Sequence, residues 1–188
     1  TLALALTLVA WRQRGAGPFG REPGDRARIA GAAVLLAIGL PWLAADLGLS
    51  LDRVPLLGSV YLTDQLASQP SRPGLNPAVH DGHHHGMDGV LLAWTALLVS
   101  RSLRHLRRAR VRAAATVYLS FLLVYGAANA IQDAWLEQIV KRGWSAYELP
   151  TVVAPSASAA WLAIVALTGL AAFVARRSDV ARIRREPR

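Results

Sequence analysis

Four of the five histidines in this chain fall within nine residues, His80-Asp81-Gly82-His83-His84-His85-Gly86-Met87-Asp88. Two carboxylates stand among them. Neutral imidazole and carboxylate together suit a coordination shell for zinc, copper or iron. Adjacent histidines on a helix point about 100° apart, so His83, His84 and His85 act together only from a loop. Gly82 and Gly86 favour a loop there. The expected shell is two or three of His80, His83, His84 and His85 with one carboxylate. The expected cofactor is a divalent metal, zinc ahead of copper or iron. Remaining polar groups would orient the imidazoles.

The elements that must position this stretch are apolar helices. The chain has 188 residues, 53% of them hydrophobic and 18% charged, with a mean hydropathy of +0.30. Long apolar runs alternate with arginine clusters, the pattern of a polytopic helical membrane protein. The reading is an all-α transmembrane bundle of at least five spans, forming one domain over 1–188. The spans lie at about 1–11, 29–49, 85–103, 113–134 and 156–175. The chain opens at Thr1 inside an apolar run, so the first span reads as truncated. It does not read as a complete signal peptide, since no basic leader or cleavage site precedes Arg12. A short interfacial or re-entrant helix is expected over 56–66. No cysteine is present, which excludes disulfides, thiolate ligands and cysteine nucleophiles.

The net charge of +9 does not indicate nucleic acid, because most basic residues flank spans. Of the 21 Lys and Arg, 17 fall in two arginine loops and the C-terminal tail. The opposite loops hold only Arg53, Arg72, Lys141 and Arg142. By the positive-inside rule the arginine loops and C-terminus are cytoplasmic, with the histidines on the extracytoplasmic face of a plasma membrane, bacterial in type. His105, inside an arginine run, receives no role.

Depth links the histidines to other polar residues. At about 1.5 Å per helical residue, Asp88 lies about 20 Å from Arg101, within a core of about 30 Å. The third span is therefore short unless the histidine stretch dips into the outer leaflet. The same ruler puts Asp46 about 27 Å from Arg28, Asn129 and Asp133 about 26 and 31 Å from Arg112, and Ser158 about 27 Å from Arg176. On the fourth span Tyr125, Asn129, Asp133 and Glu137 recur every four residues and share a face. Ionisable groups within a span usually face the bundle interior. Asp46, Asp88 and Asp133 are the expected carboxylate ligands, and Asn129, Gln132 and Ser158 the supporting shell. Glu137 is expected to be exposed. A row of Gly31, Leu35 and Gly39 predicts close helix contact.

His80-Asp81-Gly82-His83-His84 resembles the HxxHH histidine box of membrane desaturases and hydroxylases. The match covers these five residues. That family holds two irons with several boxes on the cytosolic side, whereas this chain has one box on the other, so the activity is not carried over. The His, Asp and Ser set is also similar in chemistry to intramembrane zinc amidases of the ceramidase kind, although span number and motif order differ.

Three functions follow as expectations. One is a metal-dependent hydrolase, most simply a zinc enzyme, with Asp133 or Asp88 as general base toward a metal-acidified water. Another is metal binding or transport without catalysis. The third is a non-catalytic subunit of a membrane complex. Membrane lipid is the expected partner, with other membrane subunits as further candidates.

Overall fold

A computed structural model describes residues 24–79, 85–103, 106 and 108–183. Helix α1 (Asp25–Asp46) starts after Gly24, whose φ of +85° suits glycine. A 3₁₀ turn (Leu51–Arg53) and a single-turn helix α2 (Leu57–Val60) follow. Strands β1 (Leu66–Gln69) and β2 (Arg72–Pro77) then pair antiparallel, with Leu66 opposite Pro77 and Gln69 opposite Arg72. Helix α3 covers His85–Ser100 and helix α4 Ala109–Trp135. A π-helical segment, Leu136–Val140, continues α4, and α5 covers Ala159–Ile183.

Three of these helices are long and apolar enough to cross a membrane: Asp25–Asp46, Ala109–Val140 and Ala159–Arg177. Helix α3 is apolar but has only 16 residues, about 24 Å of rise against a core of about 30 Å. Five spans is thus more than the described residues supply. The segment 1–11 lies outside them. The chain is mostly helical, as the all-α reading expects, but its long connection holds a hairpin. The re-entrant helix expected over 56–66 shrinks to the four residues of α2. Pro70, Pro73 and Pro77 explain the extended backbone. A two-stranded ribbon is all edge, so it accepts prolines that a central strand rejects.

Helix α3 packs against both α1 and α4. Its contact with α4 runs through glycine. A β-carbon on Gly89 would sit 2.5 Å from the Gly126 carbonyl oxygen, and one on Gly126 would meet the Gly89 oxygen equally closely. Ala93 and Ala130, one turn on, are fully buried. Small residues at four-residue spacing let two backbones approach, as in membrane helix pairs. The Gly31, Leu35, Gly39 row forms the contact of α1 with α3 as expected: Gly31 faces Leu97, Gly39 faces Val90, and Leu35 joins the core with Trp42 and Val90. Trp94 Nε1 adds a hydrogen bond to the Ala32 carbonyl at 3.0 Å.

Helix α5 lies against α4 and leaves Leu162, Val165, Leu170 and Val174 exposed. Such apolar faces suit hydrocarbon, where a helix satisfies its own backbone. At one end of the bundle, Arg28 Nε donates to Ser100 Oγ at 3.0 Å and Arg101 pairs with Asp25 at 3.5 Å. This is the arginine end. At the other end the segment from the 3₁₀ turn through β2 forms a cap.

Asp52 organises that cap. Its carboxylate accepts from the amides of Thr63, Asp64 and Gln65 and from Thr63 Oγ1. Burial pushes the Asp52 pKa up, but these hydrogen bonds outweigh it and the carboxyl lies below its ordinary value. Gln138 fastens the cap to the bundle, accepting from Leu62 N and donating to Leu62 O, each at 2.8 Å. Arg142 donates to the carbonyls of Ser59 and Val60.

Candidate metal site at the capped end

The four-residue stripe on α4 runs further than the span boundary at 134 implied. No Gly or Pro interrupts the chain between Gly126 and Gly143, so nothing stops the helix there. Gly143, at φ +75°, is where left-handed backbone begins. In an α-helix a four-residue step overshoots the turn of 3.6 residues; the wider π turn takes part of that overshoot back. The stripe therefore continues through Tyr125, Asn129, Asp133 and Glu137 to Lys141.

Each member of this column has a defined partner. Tyr125 Oη donates to the Val153 carbonyl at 3.1 Å, and Asn129 Nδ2 to the Tyr125 carbonyl at 2.9 Å. Asp133 Oδ2 accepts from the Gly86 amide at 2.7 Å. That amide belongs to the first turn of α3, where N–H groups lack intrahelical acceptors and the dipole favours an anion. Asp133 thus caps a neighbouring helix. Glu137 is 2% exposed, not the exposed residue expected, and its Oε2 accepts from Trp42 Nε1 at 2.7 Å. The correction has the same cause as the boundary: the helix carries Glu137 inward instead of releasing it into a loop.

Lys141 is 5% exposed. Its Nζ donates to the carbonyls of Pro77 and Ala78 at 2.8 and 2.7 Å. Burial lowers its pKa; the Glu137 and Asp133 carboxylates oppose that shift and Arg72 adds to it. In the sequence Lys141 reads only as a topological charge. The signal that would have found it is one further step of the stripe.

These contacts bracket the histidines. Lys141 holds Pro77 and Ala78, and the Val79 amide donates to the Thr63 carbonyl at 3.1 Å. On the far side Asp133 holds Gly86. Gly86 itself lies so close to the Trp42 indole that any β-carbon there would clash. His80, Asp81, Gly82, His83 and His84 lie outside the described residues.

His85 and Asp88, one helical turn apart on α3, are exposed and line a cavity of about 340 Å³ with Tyr125 and Asn129. Leu91 and Leu92 form its apolar wall. Helical spacing lets residues three apart act on one ligand. Asp46 ends α1 and is exposed, Gln132 is half-buried beside the column, and neither lines this cavity. Ser158 caps α5: its Oγ lies 3.3 Å from the Trp161 amide and its carbonyl accepts from Leu162 N. The structure thus brings His85, Asp88 and Asn129 to one cavity and gives Asp133 and Ser158 capping contacts. Among the described residues no group of three or more His, Asp or Glu has metal-binding geometry. Compared with family models, curated proteins and solved structures, the chain has no significant match.

Proposed function

We propose that this chain is a membrane protein that binds a divalent metal, zinc ahead of copper or iron, at its capped end. Ligands would come from His80, His83, His84 and His85, with Asp88 as the nearest carboxylate. The capped end would be extracytoplasmic and the arginine end cytoplasmic, as the basic asymmetry favours, and the membrane would be a plasma membrane of bacterial type. One observation carries the reading. A buried column, Asp133, Glu137 and Lys141, grips the chain on both sides of the histidine stretch and the Trp42 indole that packs against Gly86. A solvated loop that happened to be rich in histidine would have no use for three buried ionisable anchors, each costly to desolvate. The column acts by orientation: holding backbone near the ligands restricts where imidazoles reach.

The cavity beside His85 and Asp88 favours a second reading, a zinc hydrolase. The metal would acidify a bound water, and Asp88 would serve as general base. Asp133 is the poorer base, because its carboxylate already accepts from Gly86. The exposed apolar faces of α1 and α5 would meet lipid or other membrane subunits.

Elemental analysis of the purified full chain tests the proposal, together with melting with and without chelator. Stoichiometric metal is expected, and chelator should lower the melting temperature at pH 7.5. Binding of metal to the folded chain alone adds about 2.7 kcal/mol at a hundredfold excess over Kd. Protons compete for imidazole, whose ordinary pKa is about 6.5, so the chelator effect should shrink near pH 5. Absence of metal, with melting indifferent to chelator and zinc at pH 7.5, would sink the metal reading and leave the non-catalytic subunit.

A further inference from the structure

The cap carries few cations, and they are not spread evenly. Of Arg53, Arg72, Lys141 and Arg142, Arg53 pairs with Asp64 at 2.9 Å. Lys141 and Arg142 line a second cavity, of about 420 Å³, between β1 and the end of the π-helical segment. Gln65, Ser68 and Trp144 help to line it. Arg72 stands close enough to Lys141 for their charges to oppose. No carboxylate lines this cavity among the described residues.

Its cations have unused donors. A lysine ammonium carries three N–H groups. Two on Lys141 reach the Pro77 and Ala78 carbonyls, and the third has no acceptor among the described residues. Arg142 spends its terminal nitrogens on Ser59 and Val60, while its Nε is buried with no partner. The guanidinium lies 4.8 Å from the centre of the Trp144 ring. Unmatched buried donors are uncommon in folded chains. Lys141 and Arg142 together in a cavity wall that holds no carboxylate among the described residues mark a place for an anion with several acceptor oxygens. Phosphate has that chemistry, and Arg and Lys are its usual partners.

We infer that the cavity of Lys141 and Arg142 binds a phosphate group, supplied in the membrane by a phospholipid headgroup. Depth favours the lipid source. Lys141 directly follows the span Ala109–Val140, at the level where headgroups meet the chain. Trp144 and Tyr147 are exposed beside it, as aromatic side chains are at membrane interfaces. Gln65 and Ser68 supply neutral donors on the opposite wall. The inference does not rest on the metal reading.

The test uses the full chain in neutral detergent with chelator present, so that bound metal does not recruit the phosphate. Melting is followed against dioctanoylphosphatidic acid and against dioctanoylglycerol, which has the same chains without phosphate. Sodium phosphate is compared with sodium chloride at equal ionic strength. A saturable rise in melting temperature with the phosphatidic acid alone is expected. An equal rise at similar concentrations of inorganic phosphate would assign the site to the free anion instead of the lipid. Arg142→Gln should raise the half-saturating concentration roughly tenfold, the loss of one charge-assisted hydrogen bond. Ser68→Asp, on an exposed rim position, places a carboxylate against the ligand and should abolish the response even if Arg142→Gln does not fold. Equal behaviour of phosphatidic acid and diacylglycerol, or an unchanged response in Ser68→Asp, would overturn the inference.

Discussion

The two ends of this bundle use charge in opposite ways. At the arginine end, Arg28, Asp25 and Arg101 form partly exposed ion pairs. These pairs run from side chain to side chain. At the capped end, Asp133, Glu137 and Lys141 are buried, and their partners among the described residues include two stretches of backbone and an indole. Charge in a wet, screened place is cheap to install and cheap to lose. Charge in a dry place is expensive unless every oxygen and proton finds a partner. The capped end bears that expense to fix particular pieces of chain.

Substitutions should separate the ends sharply. The largest effect is expected at Lys141. Lys141→Met removes both donors from the Pro77 and Ala78 carbonyls and leaves the Glu137 and Asp133 charges less compensated. It should cost about 3–5 kcal/mol, the loss expected for breaking a buried charged network, read as lowered resistance to denaturant. An effect below about 1 kcal/mol would place Lys141 with the surface charges.

Next is Gly86→Ala, which forces a β-carbon into the Trp42 ring. Overpacking of this kind costs about 1–3 kcal/mol. The same change at Gly48, where no atom lies near, meets no neighbour and carries only backbone strain from its φ of +69°. Melting of the two variants compares them directly. The smallest stability effect belongs to the arginine end, where Arg101→Gln should cost under about 1 kcal/mol and less still at high salt.

Acid should loosen the cap. The folded-state pKa of Asp52 lies below its ordinary value of 3.8. Its contribution is therefore complete above that value and lost as pH falls through the lower, folded one. Amide exchange of Thr63, Asp64 and Gln65 should rise over that window, beyond intrinsic chemistry. In Asp52→Asn the acid-dependent part should vanish; an unchanged acid profile in that variant would remove Asp52 from the centre of the cap.

Much of the bundle was legible in its apolar runs. The row Gly31, Leu35, Gly39 named a contact that exists, and the count back from Arg101 found α3 too short. The spacing of Asn129 and Asp133 placed them on an inward face. The hairpin escaped because its strands alternate poorly and are full of proline, so only pairing reveals them. Glu137 and Lys141 escaped for another reason. A charged residue beyond a nominal span reads as solvated, and nothing local says that Trp42 or the Pro77 carbonyl waits for it. Those partners lie 95 and 64 residues away. Long-range satisfaction of a buried charge is written in the fold, not in the neighbourhood of the residue.

The central claim is that the buried column positions a metal-binding histidine stretch, and Asp133 tests it most directly. Asp133→Ala releases the Gly86 amide while leaving every histidine in place. Zinc affinity of the folded variant is measured by calorimetry beside that of the wild-type chain. The account predicts stoichiometric zinc binding by the wild type and affinity weaker by about 10–100-fold in the variant, the range for losing a group that orients metal ligands. Equal affinity in the two folded proteins, or no zinc bound by either, would contradict it.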